Sequence, residues 1–131
     1  MSQIIVTANV VVPNGPQFAF QQTIVVDGYD KIDVLIPATP ATTDKKVELV
    51  AGSGEVQFIA ITSDFFSDKL TYKINSSAAA TTVRKLDQPQ LFMGKGAVSL
   101  FDAAPATLFF SNAAPGQDAQ VQILIGRDAT P

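Results

Sequence analysis

Carboxylates are the strongest acid–base groups in this chain, because it contains no His, no Cys and no Trp. Without imidazole or thiol there is no thiolate or imidazole metal site, no Cys nucleophile and no Ser-His or Cys-His relay. A disulfide framework is excluded on the same count. Asp27, Asp30 and Asp33 recur at every third position around Gly28 and Tyr29. A loop with that spacing directs several oxygens at one point, as a Ca²⁺ ion requires, with its roughly six to eight oxygen ligands. The order is not that of an EF-hand, which alternates its acidic residues before a glycine and closes on a bidentate Glu. The plainer reading is a solvated turn with Asp33 pointing outward from a strand, and no metal or other cofactor is expected.

Asp64 and Asp68 bracket Phe65-Phe66-Ser67. Two carboxylates about 5 to 10 Å apart hydrolyse glycosides when one of them has a raised pKa. Such an enzyme also needs an aromatic platform for the sugar, and Tyr29 and Tyr72 are the chain's only tyrosines. A polar loop is favoured. Phe65 and Phe66 form a candidate contact loop: if exposed, at least one ring lies in water and marks a binding patch. If the segment is a strand, one ring enters the core and the other faces the opposite side. Gly94-Lys95-Gly96 resembles a phosphate loop in composition alone, since Ala97 stands where Ser or Thr would follow the lysine. It reads as a hairpin turn. Arg84, Lys85 and Lys95 are too few to neutralise the phosphates that nucleic-acid affinity needs. Ser76, Ser77 and Ser99 have no base partner except lysine, and a Ser-Lys dyad needs a buried lysine of lowered pKa. No enzyme and no catalytic residue is expected.

The elements that carry these residues repeat with period two. Ile4, Val6, Ala8, Val10 and Val12 alternate with a mixed set, as in a half-buried strand. Pro13-Asn14-Gly15-Pro16 is the strongest turn signal in the chain. A second strand is predicted from Gln17 to Val26, and a third through Ile32, Val34 and Ile36. Val47–Val50 and Val56–Ile61 flank Ala51-Gly52-Ser53-Gly54-Glu55, which predicts a hairpin with a glycine at positive φ. Further strands are expected at Leu70–Ile74, Val83–Leu86, Gln90–Met93, Ala97–Phe101, Thr107–Ser111 and Ala119–Ile125. Asn75–Thr82 has the composition of a loop or a single helical turn. About eight to ten short strands spaced by turns predict an all-β chain, an antiparallel β-sandwich of jelly-roll type with under about 10% helix. Residues 1–131 are read as a single domain. Ile4 or Ile5, Phe20, Ile32, Val56, Phe58, Leu70, Val98, Leu108, Ile123 and Ile125 are expected in its core. The consecutive apolar residues of Ile123-Leu124-Ile125 suit a central strand or one covered by a neighbouring subunit.

The surface is unusual in what it lacks. Charged residues are 16% of the chain, well under the roughly 25% of an average soluble domain, while mean hydropathy is +0.23. Neutral Ala, Thr, Ser, Gln and Asn must therefore cover much of the exterior, and such groups lose less on burial than ions do. A net charge of −3 argues against nucleic acid. The stretch from Ile4 to Val12 is too short and too polar for a signal h-region or a membrane span.

The Gly96-Ala97-Val98-Ser99-Leu100 segment, the Ala103-to-Phe110 run and the closing Val121–Gly126 strand resemble, in texture, the small all-β structural proteins of tailed bacteriophages. That resemblance implies a virion component made in the host cytoplasm without a signal peptide: a capsid decoration protein, a head or tail accessory, or a fibre-associated module. Sparse charge, the consecutive apolar residues of the closing strand and the exposed strand edges of a charge-poor sandwich predict a homo-oligomer such as a trimer. The resemblance adds other structural proteins as partners, and no membrane is expected. The alternative is a ligand-binding β-sandwich such as a carbohydrate-binding module.

Overall fold

The computed structural model describes residues 2–38, 45–49, 55–102, 104–114 and 116–128. Their alternating apolar residues form ten strands. These are β1 (Ser2–Val11), β2 (Gln17–Val26), β3 (Gly28–Ile36), β4 (Lys45–Glu48), β5 (Glu55–Ser63), β6 (Leu70–Ile74), β7 (Arg84–Lys85), β8 (Gln90–Met93), β9 (Thr107–Asn112) and β10 (Ala119–Asp128). One short helix, α1 (Gly94–Phe101), separates β8 from β9. β1 and β2 pair with each other as a two-stranded ribbon. The other eight form two four-stranded antiparallel sheets, ordered β3-β10-β5-β8 and β4-β9-β6-β7. The first of these eight therefore lies beside the last, the second beside the seventh, and so inward to β6 beside β7.

Period-two patterning lets each sheet bury one face against the other. Ala119, Val121, Ile123 and Ile125 of β10 are all fully buried, as are Ile59 and Ile61 of β5 beside them. Leu70 and Tyr72 of β6 and Leu108 and Phe110 of β9 meet them from the second sheet in one continuous core. Fully burying one such side chain is worth about 1.5 to 3 kcal/mol. β10 runs between β3 and β5, which makes it the central strand its apolar sequence predicts.

Several expectations are corrected. Val47 and Val56 do not belong to one hairpin: β4 pairs with β9 while β5 pairs with β10 and β8, so the two strands lie in different sheets. The turn residues 51–54 fall outside the described residues. Ala97–Phe101 is helical, not extended, and Gly94-Lys95-Gly96 is the first turn of that helix, entered through Gly94 at φ 86°. The helix buries Val98 and Phe101, three residues apart, and leaves Leu100 80% exposed. Val98-Ser99-Leu100 alternates as a strand would, and a single pair three residues apart is too short a pattern to announce a helix. The strand expected at Val83–Leu86 shrinks to Arg84–Lys85. Phe20 and Ile32 are half-buried, not core; Ile4 is buried and Ile5 exposed. The other expected core residues are buried.

Candidate functional site

The ribbon of β1 and β2 is the part of the molecule that its own fold does not use up. From Ser2 to Val26 there is not one Asp, Glu, Lys or Arg. Ten residue pairs hold the two strands together, from Ser2 opposite Val26 to Val11 opposite Gln17, a length of about 33 Å at the usual strand rise. The turn closes with the Val12 N–H donating to Pro16 O at 2.9 Å and the Gly15 N–H donating to Val12 O at 2.8 Å. Asn14 takes the left-handed conformation there, at φ 60°, a position its short side chain tolerates.

One face of this ribbon carries Ile4, Val6, Ala8 and Val10 opposite Ile24, Gln22, Phe20 and Phe18. Burial along that face falls outward, except that Gln22 is exposed between the half-buried Ile24 and Phe20. Ile4 and Val26 are buried, Val6, Ala8, Phe20 and Ile24 half-buried, and every residue from Asn9 to Ala19 is exposed. Phe18 is 59% exposed. The ribbon is thus an arm: its base is seated on the body and its outer half stands clear.

The seat is the outer face of the β3-β10-β5-β8 sheet. Register places Tyr29, Gly126, Phe58 and Met93 in one row across the four strands, and Lys31, Leu124, Ala60 and Leu91 in the next. Ile4 and Val26 close over Phe58 in a second small core, with Val6, Ile24, Ala60, Met93 and Leu124 packed around it. Polar contacts fix the root. The Gln57 side-chain amide donates to Val25 O at 3.0 Å and to the Asp128 carboxylate. Lys95 bridges Glu55 at 3.2 Å and Asp128 at 3.3 Å, and both carboxylates hold its ammonium pKa above the ordinary lysine value. The Asp27 N–H donates to Arg127 O at 3.0 Å, and Arg127 pairs with Asp30 at 3.3 Å. Beyond the seat, the same sheet face opens into a hollow of about 270 Å³ lined by Ala60, Leu124, Leu91, Pro89, Thr62 and Gln122.

The residues singled out for chemistry are engaged elsewhere. Asp33 pairs with Lys31 at 2.7 Å and Asp30 with Arg127, so the candidate calcium set is spread over separate contacts. No group of three acidic residues suited to a metal ion occurs among the described residues. Asp64 accepts the Gln120 N–H at 2.9 Å and returns its own N–H to Gln120 O at 3.2 Å, continuing the β5–β10 ladder. Phe65 and Phe66 are both half-buried and pack against the main core. Arg84 lies over the Phe101 ring at 5.5 Å, whereas Lys95 is held at the root of the arm. Ser99 donates to Gly96 O at 2.6 Å, and the Ser76 hydroxyl accepts the Ala78 N–H. No helix among the described residues is long and apolar enough to cross a membrane.

The arm and its seat were not singled out as a site from the sequence. The signal that finds the arm is the charge-free run from Ser2 to Val26 around the strongest turn. The seat has no comparable signal, because register alone brings Phe58, Met93 and Gly126 together. No family model, curated protein or solved structure matches the chain.

Proposed function

We propose that this protein is a non-enzymatic assembly component, a phage virion protein of the decoration or head–tail accessory kind, acting through protein–protein contacts. The observation that carries the reading is the uncharged, partly apolar arm standing clear of a finished core. A monomer gains nothing from holding Val10, Val11, Val12 and Phe18 in water, whereas an assembly protein gains a ready contact surface. In this reading the eight body strands form a jelly roll. The nested neighbours β3/β10, β4/β9, β5/β8 and β6/β7 support it. Jelly rolls serve in viral capsids and in lectins, so the architecture supports the reading by analogy and does not carry it alone.

The test is composition. Particles from a culture carrying this gene are banded on a density gradient, and peptides of this chain are quantified against the major shell protein. A fixed ratio across the particle band is expected; confinement of the chain to the non-particle fraction overturns the reading. A second reading, a carbohydrate-binding sandwich, is favoured by Tyr29, which is 57% exposed on the outer sheet face. Binding on a glycan array that Tyr29→Ala abolishes is its expected signature.

A further inference from the structure

We propose that the outer half of the β1–β2 arm docks on the outer sheet face of a second copy of this chain, where Val10, Phe18 and Phe20 fill the hollow between Ala60, Leu91 and Leu124. The inference rests on the assembly reading and names the partner and the surface. The first support is continuity with a contact already made inside the chain. The arm face that presents Val10, Phe18 and Phe20 is the same face that, nearer the root, seats Ile4, Val6, Ile24 and Val26 on this sheet. The hollow begins where that seat ends, since Ala60 and Leu124 belong to both. Branched and aromatic side chains of this arm therefore already fit this sheet at one position, and the neighbouring position is open. The arm does not fill it within one chain, because Val10, Phe18 and Leu91 are 43%, 59% and 45% exposed.

Charge points the same way. The arm brings no ion to the contact, and the nearest charge at the hollow, Lys31, is paired with Asp33 at 2.7 Å. No uncompensated charge would be desolvated on docking. Area agrees in scale. The chain exposes 7626 Å², against the roughly 6,700 Å² expected for a compact protein of its mass. The difference is of the order of the 800 Å² or so that each partner gives up in a standard interface. Arm tip and hollow are different patches, so each copy gives one contact and receives one. Such a contact closes as a ring or as a twofold pair that exchanges arms, and runs on as an open filament where the rotation does not close.

The test uses the full chain. Light scattering from micromolar to millimolar concentration is expected to give a mass above 13.9 kDa. Phe18→Glu and Leu91→Glu, both at exposed positions, are each expected to return that mass to one chain with the circular dichroism spectrum unchanged. The natural absence of cysteine supplies a direct readout. Phe18→Cys mixed with Leu91→Cys is expected to form the mixed disulfide at least tenfold faster than Phe18→Cys mixed with Leu100→Cys. A single-chain mass at millimolar concentration overturns the proposal. So does an oligomer that both glutamate variants leave intact, or equal cross-linking to Leu91 and Leu100. The particle measurement separates this failure from that of the assembly reading. A monomer found in particles turns its arm to a different protein, and an arm-linked oligomer absent from particles keeps the contact and loses the virion.

Discussion

At Gly126 the arm and the sheet approach too closely for any side chain. A Cβ there would lie 2.7 Å from Ile4 Cδ1, 2.9 Å from Val26 Cγ1 and 3.2 Å from Phe58 Cβ. The Ile4 terminus can swing aside, but Val26 is stiff at χ1 and Phe58 Cβ is fixed by the strand. Gly126→Ala should therefore cost about 1 to 3 kcal/mol, as overpacking does, and should lift the arm. The check is limited proteolysis together with urea unfolding, and an arm no more susceptible than in the parent would show that the seat adapts. Tyr72 is the second informative residue. Burial pushes its phenol up to about 12, against the opposing pull of the Arg84 charge; its hydroxyl donates to Gln90 Oε1 at 2.5 Å. A folded-state value above the unfolded value of about 10 means that the folded chain holds this proton longer as pH rises. The stability tied to it is complete below about pH 10 and is lost between about 10 and 12, on the order of 2 to 3 kcal/mol. Tyr72→Phe should be less stable at neutral pH, by about 1 to 3 kcal/mol for the unpaired Gln90 oxygen, yet decline less steeply above pH 10. Unfolding midpoints measured from pH 8 to 12 decide this, and parallel declines would clear Tyr72 of the effect.

Among the elements, those whose pairing is local were the legible ones. The arm could be read from alternation on both sides of Pro13-Asn14-Gly15-Pro16, and its register follows from the turn. β4 and β5 failed the same reasoning because their turn signal is local while their pairing is not: Val47 lies opposite Leu108, and Ile61 opposite Ile123 and Gln90. Nothing in residues 47–61 encodes those partners. α1 was missed because little more than two turns offer a single pair of buried residues, Val98 and Phe101. The seat illustrates the same limit, since Phe58 reads as a core residue and is one, but of the small core beneath the arm. That placement sets the expectation for Phe58→Ala. Full enclosure of a phenyl ring makes truncation cost about 3 to 5 kcal/mol, and here the low end is expected, because the arm can settle into part of the space. A loss below about 1 kcal/mol in urea unfolding would show that the arm's base does not enclose the ring.

For the whole molecule, the uneven use of charge and burial implies uneven stability. The body closes a continuous core from both sheets, while an isolated two-stranded ribbon is marginal in water. Ion pairs gather at the root, where Lys95, Glu55, Asp128, Arg127 and Asp30 meet the sheet, and the arm carries none beyond it. Amides that open only with the core exchange at the global unfolding free energy, whereas those held by exposed ladder bonds open locally. Hydrogen exchange at low concentration should therefore show β10 and β5 most protected, the arm's base intermediate, and the ladder amides of residues 7–11 and 17–21 least. The gradient should follow the burial of the inner arm face, from Ile4 and Val26 out to Val10 and Phe18. Raising the protein concentration should slow exchange selectively in that outer segment and at Leu91, because both gain cover when copies meet, while the central strands stay at the global limit. Uniform protection along the arm at every concentration would mean that the ribbon is rigid without a partner, and that its exposed apolar face is held by the β1–β2 pairing alone.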